Sequence, residues 1–510
     1  MRLLRILLVL LMPALAALAQ TNTPVTRRMS LEDCIATALE HNLDVKIKRF
    51  NPDIAGYNLA VLFGNYDPSL YINGEHDDTR QPGSIDAQGR IIPGAEIKND
   101  IFSSGFQGLL PWGMSYNLGI RFSDQTTIRP RIVDTNTDPA TVIPPLSTEV
   151  FSGSAGFLEM RQPLLKNFLI DNTRLQIQLD KHNVKISELD LRFQVMSTVF
   201  QVEQAYDNLI FAQENVKVQQ KAMELAERQL SENKKRVEVG AMAPLDEKQA
   251  ASQVASSRAD LLNALGTEET QQRALKSLLS DDYSEWSHVV IQPAESLVAI
   301  PQQFDLQESW RTGLTQRPDF LQQKLSLEKQ QYVVRYQKNQ LLPQVDVLGT
   351  GGYLAAAPEP AGYFEQLGGR DHPFYTIGGQ FSIPLGNNSA RNSYRAAKAS
   401  KEQIEIQLRQ LEQNIMITIE NDIAIANTRF QQVDATREAR IYAEAALDAE
   451  QKKLESGKST SFVVLQLTRD LTSARSAEIS ALANYNISLA QLALDKGAML
   501  DRHRVSMQWK

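Results

Sequence analysis

Residues that build covalent or metal-bound frameworks are scarce in this 510-residue chain. Its single cysteine, Cys34, excludes an intrachain disulfide framework and the usual zinc-binding patterns. The six histidines form no His-Glu-x-x-His or other close metal spacing, and no run of basic residues accompanies the net charge of −7. These absences argue against a metal cofactor and against nucleic-acid binding, and no motif points to catalysis. Cys34 lies in the stretch LEDCIATALEHN, which predicts a thiol packed within a helical core rather than a reactive one.

Long apolar runs are absent from the chain beyond its N-terminus. There, Arg2 and Arg5 precede a short apolar run and the sequence Ala-Leu-Ala at positions 17–19. This order is typical of a secretory signal peptide, which we expect over residues 1–19. No other stretch has about 18 consecutive apolar residues, so a second spanning helix is not expected. If the mature chain enters a membrane, we expect it to cross as β-strands.

Glycine and proline are absent from two long stretches, residues 164–239 and 387–456. Apolar residues recur there at alternating spacings of three and four, a coiled-coil pattern. They are Ile186, Leu189, Phe193, Met196 and Phe200 in the first stretch, and Ile404, Leu408, Leu411, Ile415 and Ile419 in the second. We predict long helices over about 164–239 and 387–456, with return helices over about 244–280 and 460–496. Asp171 or Asn172 and Asn387 or Ser389 are the candidate N-caps of the long helices. A helix of about 65 residues reaches roughly 100 Å, so it spans a distance rather than fills a core.

The chain is a tandem duplication. Leu31–Val45 matches Leu306–Phe320 at a shift of 275 residues (306 − 31), and the shift is 217 (473 − 256) for Ser256–Leu265 against Ser473–Leu482. The first copy is predicted over residues 20–280 and the second over 305–497, with a linker at 281–304 and a C-terminal tail at 498–510. The shift is still 275 at Pro68 against Pro343 and falls to 221 (384 − 163) at Pro163 against Pro384, so the first copy has 54 extra residues (275 − 221) between Pro68 and Pro163, and we assign them to a segment at about 79–149.

Alternating residues predict membrane strands at about 68–78 and 150–162 in the first copy and at about 343–355 and 374–384 in the second. In the last of these, Tyr375, Ile377 and Phe381 alternate with polar residues and glycine. The pattern is typical of barrel strands with lipid outside and water inside, although the strands alone fit a half-buried antiparallel sheet equally well. The signal peptide and the long helices favour the barrel.

The extra segment at 79–149 contains two more alternating stretches, Phe102–Leu110 and Met114–Ser123, between polar stretches rich in turn residues. Two interpretations stay open. The pair is either a hairpin standing above the membrane or two additional barrel strands, which would raise the count from four to six per chain. The apolar side of Met114–Ser123 favours membrane insertion.

From end to end, the order of signal peptide, strand pair, very long helix, glycine corner and return helix, followed by its repetition, resembles the TolC family of outer-membrane efflux proteins. The resemblance implies a mainly α fold with membrane β-strands, built from a duplicated unit of β-hairpin plus very long coiled-coil helices. Three chains would form one β-barrel in the Gram-negative outer membrane and an α-helical tunnel in the periplasm, with residues 281–304 in its equatorial region. Four strands per chain are too few to close a lumen alone, since more than about eight are needed.

The implied function is that of a passive exit duct in a tripartite efflux or type I secretion system. Its partners would be outer-membrane lipid, a periplasmic adaptor (membrane fusion) protein, and an inner-membrane efflux pump or ABC exporter, and no cofactor is implied. A secreted or periplasmic coiled-coil scaffold without a pore is the alternative. That scaffold would explain the long helices but not the amphipathic strands.

The glycine corners are the candidate site. The stretch Ser456–Thr460 reads Ser-Gly-Lys-Ser-Thr, like the end of a phosphate-binding loop, but Lys452 stands where that loop needs its first glycine. A nucleotide-binding enzyme would therefore account for five residues only. The resemblance implies instead that the corners are periplasmic tips that contact the adaptor, whereas the simpler alternative is a plain helical hairpin loop. The tip residues are Gly240, Ala241, Pro244 and Leu245 in the first corner and Gly457, Lys458, Ser459, Thr460 and Phe462 in the second.

The sequence departs from the family's best-known member at the expected pore constriction. That protein has aspartates six and nine residues after its second-corner glycine, whereas this chain has Val463 and Gln466 there. Asp246 and Gln249 occupy the matching positions of the first corner. We therefore expect a constriction lined by Asp246 or by Val463 rather than an acidic double ring. Pro244 suits the first turn of its helix, and Ser459, Thr460 or Ser461 is expected to cap the other.

Overall fold

A computed structural model of the chain describes residues 25–85, 91–92, 94–129 and 145–506. The predicted signal peptide lies outside the described residues, as do residues 86–90 and 130–144 of the extra segment and the last four residues of the tail. The helices are α1 (Leu31–His41), α2 (Leu43–Phe63), α3 (Asn172–Glu238), α4 (Pro244–Leu279), α5 (Tyr283–Trp286), α6 (Leu306–Gln316), α7 (Pro318–Asn339), α8 (Pro360–Gly369), α9 (Asn388–Glu455), α10 (Ser461–Asp495) and α11 (Met499–Arg502). The strands are β1 (Val25–Met29), β2 (Ser69–Arg80), β3 (Ser84–Ile85), β4 (Ile91–Ile92), β5 (Glu96–Leu109), β6 (Ser115–Arg129), β7 (Leu146–Pro163), β8 (Val289–Pro293), β9 (Gln344–Ala357) and β10 (Pro373–Ser382).

The fold is mainly helical and divides into two compact units. One contains the described residues up to Asp53, Lys185–Lys324 and the described residues from Ile406 onward. The other contains Ile54–Val184 and Leu325–Glu405 and holds the large sheet. In the part of the chain that the structure describes, no helix is long and apolar enough to cross a membrane.

The duplication is visible in the helices that begin each copy. α1 and α6 have 11 residues each and start 275 positions apart (306 − 31). Their N-caps, Ser30 and Asp305, each accept a hydrogen bond from the backbone N–H three residues later, which satisfies an otherwise unpaired donor. Cys34 is fully buried in α1, as the sequence predicted, and Ser309 is buried at the matching place in α6. Burial raises the pKa of the Cys34 thiol to about 12, so the side chain acts as a packing residue.

The first long helix begins later than the sequence predicted, at Asn172 rather than at about residue 164. The preceding residues Asn167 and Leu169 have φ of 65° and 56°, which a right-handed helix excludes. The Asp171 carboxylate then accepts a hydrogen bond from the Arg174 N–H at 2.7 Å and caps the helix. Residues 164–171 contain no glycine or proline, so the sequence alone permitted a helix from residue 164. The left-handed residues and the Asp171 cap instead fix the start of α3 at Asn172.

The predicted coiled-coil seam is correct for α9 and correct in part for α3, where Met196 is buried as predicted. Ile415 and Ile419 are fully buried in the core with Phe320 and Leu492. In α3, Phe193 is 44% exposed, so its predicted place in the seam is wrong. The buried positions are Leu191, Val195, Met196, Val199 and Val202, which pack with the α1 residues Ile35 and Ala38.

Six antiparallel strands form one sheet in the order β10-β9-β7-β6-β5-β2. The two alternating stretches of the extra segment correspond to β5 and β6, which lie in this same sheet between β2 and β7. The predicted linker is also partly structured, since β8 within it pairs in parallel with β1. A bulge interrupts the β7 register near Gly156, whose φ is 59°.

Candidate functional site

The large sheet has one apolar face that the fold leaves open. Strand register places Leu118 of β6, Leu158 of β7, Gly351 of β9 and Tyr375 of β10 in one cross-strand row. Large apolar residues on this face that are at least 40% exposed are Leu70, Ile72, Phe102, Phe106, Leu118, Ile120, Val347, Tyr375, Ile377 and Phe381. An apolar surface of this extent is not left in water by a soluble monomer, so it marks a contact with lipid or another protein.

The opposite face of the sheet is polar and hydrogen-bonded. The Tyr71 hydroxyl donates to the Asn117 side-chain oxygen at 3.0 Å across β5. Arg161 donates two hydrogen bonds, at 2.8 and 2.6 Å, to one carboxylate oxygen of Asp346, whose side chain is only 1% exposed. This pairing compensates the buried carboxylate. One face is therefore suited to water and the other to an apolar surrounding.

The apolar face ends at a row of charge. His76, Asp100 and Asp124 are register partners on β2, β5 and β6, and Asp78 and Lys98 pair in the next row. These rows lie near the end of the sheet that is opposite the strand ends connecting to α2 and α3. Charged side chains are costly on a lipid-facing surface, so they define the limit of the apolar band.

The first glycine corner connects α3 and α4 and has the geometry of a helix C-terminus. Gly240 has φ of 73°, which favours glycine over any residue with a Cβ. Its N–H donates to the Val237 carbonyl at 3.0 Å, and the Ala241 N–H donates to the Arg236 carbonyl at 2.7 Å. These two bonds form a Schellman motif, which satisfies carbonyls that the end of α3 leaves unpaired.

The second corner, between α9 and α10, repeats this geometry 217 positions later (457 − 240). Gly457 has φ of 72°, and its N–H donates to the Leu454 carbonyl at 3.1 Å. The Lys458 N–H donates to the Lys453 carbonyl at 2.9 Å. The N–H groups of Gly457 and Lys458 are thus bonded to carbonyls of α9 and not free to bind a phosphate. A helix precedes the loop, whereas a phosphate-binding loop follows a strand. The resemblance to a phosphate-binding loop therefore has no structural basis.

The return helices begin differently at the two corners. Pro244 opens α4 as predicted, and the Asp246 carboxylate accepts a hydrogen bond from the Ala243 N–H at 3.2 Å. In α10 the N-cap is Thr460, but in the described part of the chain its side chain makes no capping hydrogen bond. Ser459 instead donates to Glu450 at 2.5 Å, which holds the pKa of that carboxyl below its ordinary value. Thr460 is therefore the N-cap residue, but the predicted side-chain hydrogen bond is wrong, and the hydroxyls of Ser459 and Ser461 bond to Glu450 of α9 and Asn233 of α3 instead.

A buried asparagine connects the two corners. The Asn233 side-chain amide, on α3, donates to the Ser461 hydroxyl at 2.7 Å and to the Asp246 carbonyl at 3.4 Å. Asn233 is 2% exposed and Ser461 is 1% exposed. The contact brings the start of α4 and the start of α10 to the same place. Sequence reasoning missed Asn233, although a polar amide near the end of a long helix is the kind of residue that bonds a neighbouring element.

The corners present several apolar side chains to solvent. The exposed fractions are 78% for Val239, 64% for Leu245, 56% for Phe462 and 38% for Val463. Val239 was not among the predicted tip residues. Clustered exposed apolar residues on an otherwise polar surface are typical of a protein contact.

The two glutamines predicted for the pore constriction differ in exposure. Gln249 is half-buried, whereas Gln466 is exposed and contacts Asp470 at 3.4 Å. Among the described residues, no group of three or more His, Cys, Asp and Glu side chains is arranged to hold a metal ion.

The chain resembles a known protein family in sequence and several solved structures in fold. A sequence profile described as outer membrane efflux protein matches residues 151–280 and 311–497. The CmeC outer membrane channel of Campylobacter jejuni has a TM-score of 0.64 at 18% identity, covering 92% of this chain and 85% of that chain. VceC, an outer membrane protein of Vibrio cholerae, has a TM-score of 0.64 at 15% identity, with coverages of 92% and 96%. The open MtrE outer membrane channel of Neisseria gonorrhoeae has a TM-score of 0.63 at 17% identity, with coverages of 92% and 89%.

No curated protein matches the chain closely enough to count as a relative, and the solved structures, at such low identity, show a shared fold. The profile carries more information. Its two matched ranges run from within β7 to the end of α4 and from within α6 to the end of α10, so they contain both glycine corners. Because the profile covers more than half of the chain, the chain belongs to the outer membrane efflux protein family, and it is an outer-membrane efflux channel and not an enzyme.

Proposed function

We propose that three copies of this chain assemble into the exit duct of a tripartite efflux or type I secretion system. The observation that carries this proposal is the sheet with one exposed apolar face and one polar face. Strands β2 and β10 form its two edges and are bonded on one side only in the described chain. Open edges are not tolerated in lipid, so neighbouring chains supply the missing partners and close a barrel.

In this arrangement the apolar face contacts the lipid of the outer membrane and the polar face lines a water-filled lumen. The helices continue the passage as a tunnel through the periplasm, with the equatorial region around residues 281–304. Substrates pass without a cofactor or a chemical step. The energy comes from the inner-membrane efflux pump or ABC exporter to which an adaptor protein connects the duct.

We assign adaptor contact to the two corners. Val239, Leu245 and Phe462 are the apolar side chains that an approaching helical hairpin would cover, and Lys458 is an exposed charge beside them. The matching Schellman motifs support this assignment, because they give the two corners the same backbone shape for one kind of adaptor tip. A hairpin loop without a partner has no need of exposed apolar residues at both corners.

The periplasmic entrance is proposed to narrow at Asp246, Gln249, Val463 and Gln466 or close to them. The Asp246 carboxylate is held by the Ala243 N–H, so it is positioned rather than freely mobile. Val463 is exposed and offers no charge. Three copies would therefore place carboxylates at the first corner and apolar side chains at the second.

The direct test separates a pore from a poreless coiled-coil scaffold. Protein extracted from outer membranes is run on gels with and without heating and is inserted into planar lipid bilayers. We expect a band whose migration changes on heating, together with stepwise ionic conductance. Migration that heating does not change, combined with silent bilayers, would contradict the proposal.

A further inference from the structure

We propose that the β5–β6 hairpin crosses the membrane, so that each chain contributes six barrel strands and the complete barrel has eighteen. This inference rests on the trimer proposed above. It differs from the four strands per chain that the duplication alone implies. The evidence is the depth, the pairing and the apolar face of the two strands.

The depth of the hairpin is set by its turn at residues 110–114. Leu109 and Ser115, which flank the turn, are register partners, and Ser115 also pairs with Arg161 near the end of β7. A Cβ added to Gly113 would lie 2.5 Å from an Arg174 guanidinium nitrogen, so the turn lies against the first turn of α3. The turn is therefore at the level where the strands join the helices. A hairpin standing above the membrane would place its turn at the opposite end of the sheet.

Pairing shows that the hairpin is part of the sheet and not an appendage. Every residue of β2 has a register partner on β5, and every residue of β6 has one on β7. Within the described residues β2 pairs with no strand but β5. Removing the hairpin from the membrane would leave the facing edges of β2 and β7 without partners, which lipid does not tolerate.

The apolar face includes both strands of the hairpin. The row of Leu70, Phe106 and Leu118 joins β2, β5 and β6. Ile120 continues the face along β6 beside Ser104 of β5, Phe122 packs against Tyr363 of α8, and the charged row of Asp100 and Asp124 ends the face. Because β5 and β6 carry the same band of apolar residues as the outer strands, all six strands meet the same slab of lipid.

The turn itself resembles a short periplasmic turn. It has five residues, and Trp112 within it is 49% exposed. Short turns are typical of the periplasmic side of such barrels, and aromatic side chains mark the membrane–water boundary. The segments that join the strands at the other end are longer, as expected for the external side.

Strand number sets the width of the barrel. With neighbouring strands ~4.8 Å apart and tilted by about 40°, eighteen strands give a backbone diameter of about 36 Å, whereas twelve give about 24 Å. The cross-section is then more than twice as large. The membrane part of this duct would restrict passing solutes less than a twelve-stranded barrel does.

The test uses single cysteines at the two ends of the hairpin strands. Trp112→Cys and, as the matched control, Ser84→Cys beyond the far end of β2 are made in a Cys34→Ser background. We expect this background to fold, since the second copy has a buried serine, Ser309, at the matching place, where its hydroxyl donates to the Asp305 carbonyl at 2.6 Å. Cells are treated with a maleimide on a polymer too large to pass through an open barrel.

We expect labelling of Ser84→Cys on intact cells and of Trp112→Cys only after the outer membrane is permeabilised. Equal labelling of both on intact cells would overturn the inference and leave an external hairpin. A second measurement treats purified trimers with a small charged thiol reagent. Reaction at Asn117→Cys and Arg121→Cys, but not at Leu118→Cys and Ile120→Cys, is expected, and uniform reaction would contradict barrel strands.

The assembly state separates the two proposals. If trimers form but Trp112→Cys is labelled from outside, only the six-strand inference fails. If the unsubstituted chain forms no trimers, the proposed duct fails as well. Trimer content is therefore measured by unheated gel migration on the same samples.

Discussion

Glycine corners allow a prediction in which one substitution has opposite effects at two places. Gly457→Ala adds a methyl group at a residue with φ of 72°, whereas Gly266→Ala adds the same group inside the helix α4. A Cβ at either position has no heavy atom within 4 Å. The added methyl group therefore makes no contact with neighbouring side chains at either site, and the two substitutions differ only in the backbone conformation of the residue.

The magnitude follows from that difference. A residue with a Cβ in the left-handed region costs roughly 1–2 kcal/mol, so Gly457→Ala should destabilise the second corner by that amount. Alanine in place of glycine within a helix is favourable by about 0.5–1 kcal/mol, so Gly266→Ala should stabilise α4. A change of one to two kcal/mol alters the local opening equilibrium by about 5- to 30-fold.

Hydrogen exchange on detergent-extracted trimers measures this opening. Peptides covering Lys452–Gln466 should exchange about 5- to 30-fold faster in Gly457→Ala, while peptides around Gly266 should exchange more slowly in Gly266→Ala. Unchanged exchange at the corner, or equal acceleration in both variants, would refute the role assigned to positive φ.

Transport gives the functional counterpart of this measurement. A double variant with valine at Gly240 and Gly457 should still form trimers in the membrane, because the corners lie outside the sheet. Its adaptor-dependent export should fall, since the backbone shape of both tips is altered. Normal export from the double variant would show that these glycines do not shape a docking site.

Two further predictions concern the helical unit. Asn233→Ala leaves the buried Ser461 hydroxyl without its donor, so it should lower the unfolding free energy measured by chemical denaturation by about 1–3 kcal/mol. The same substitution should cost less in a Ser461→Ala background, because the hydroxyl is then absent. Equal costs in the two backgrounds would contradict the contact. Burial, helped by the Glu203 carboxylate, raises the pKa of Asp207 from 3.8 to about 7. Its stabilising contribution is therefore complete below about pH 4 and is lost as the pH rises through 7. Asp207→Asn, which stays neutral, should lose less thermal stability than the parent between pH 5 and about 8, and parallel melting profiles would exclude this assignment.

The sequence predicted features that depend on local pattern. The corner glycines are required by helix ends with positive φ, and Pro244 fits the first turn of α4, so both were recognisable from residue type alone. The duplication predicted matching helices 275 residues apart. These features need no knowledge of which elements are neighbours in space.

Features that depend on neighbouring elements were missed or misplaced. The start of α3 is delayed by the strained Asn167 and Leu169, whose conformation depends on contacts with distant residues such as Asn339. Asn233 gains its role only when α10 lies beside α3. Strand count was uncertain because alternation reports an amphipathic strand but not which strand it pairs with.

The assembly of three chains is the central claim, and native mass measurement on protein from the outer-membrane fraction tests it most directly. The six strands of the large sheet in the described residues are too few to close a water-filled lumen alone. The account predicts that the chain is released only by detergent and has the mass of three copies. A water-soluble monomer that retains the native helix content would contradict it.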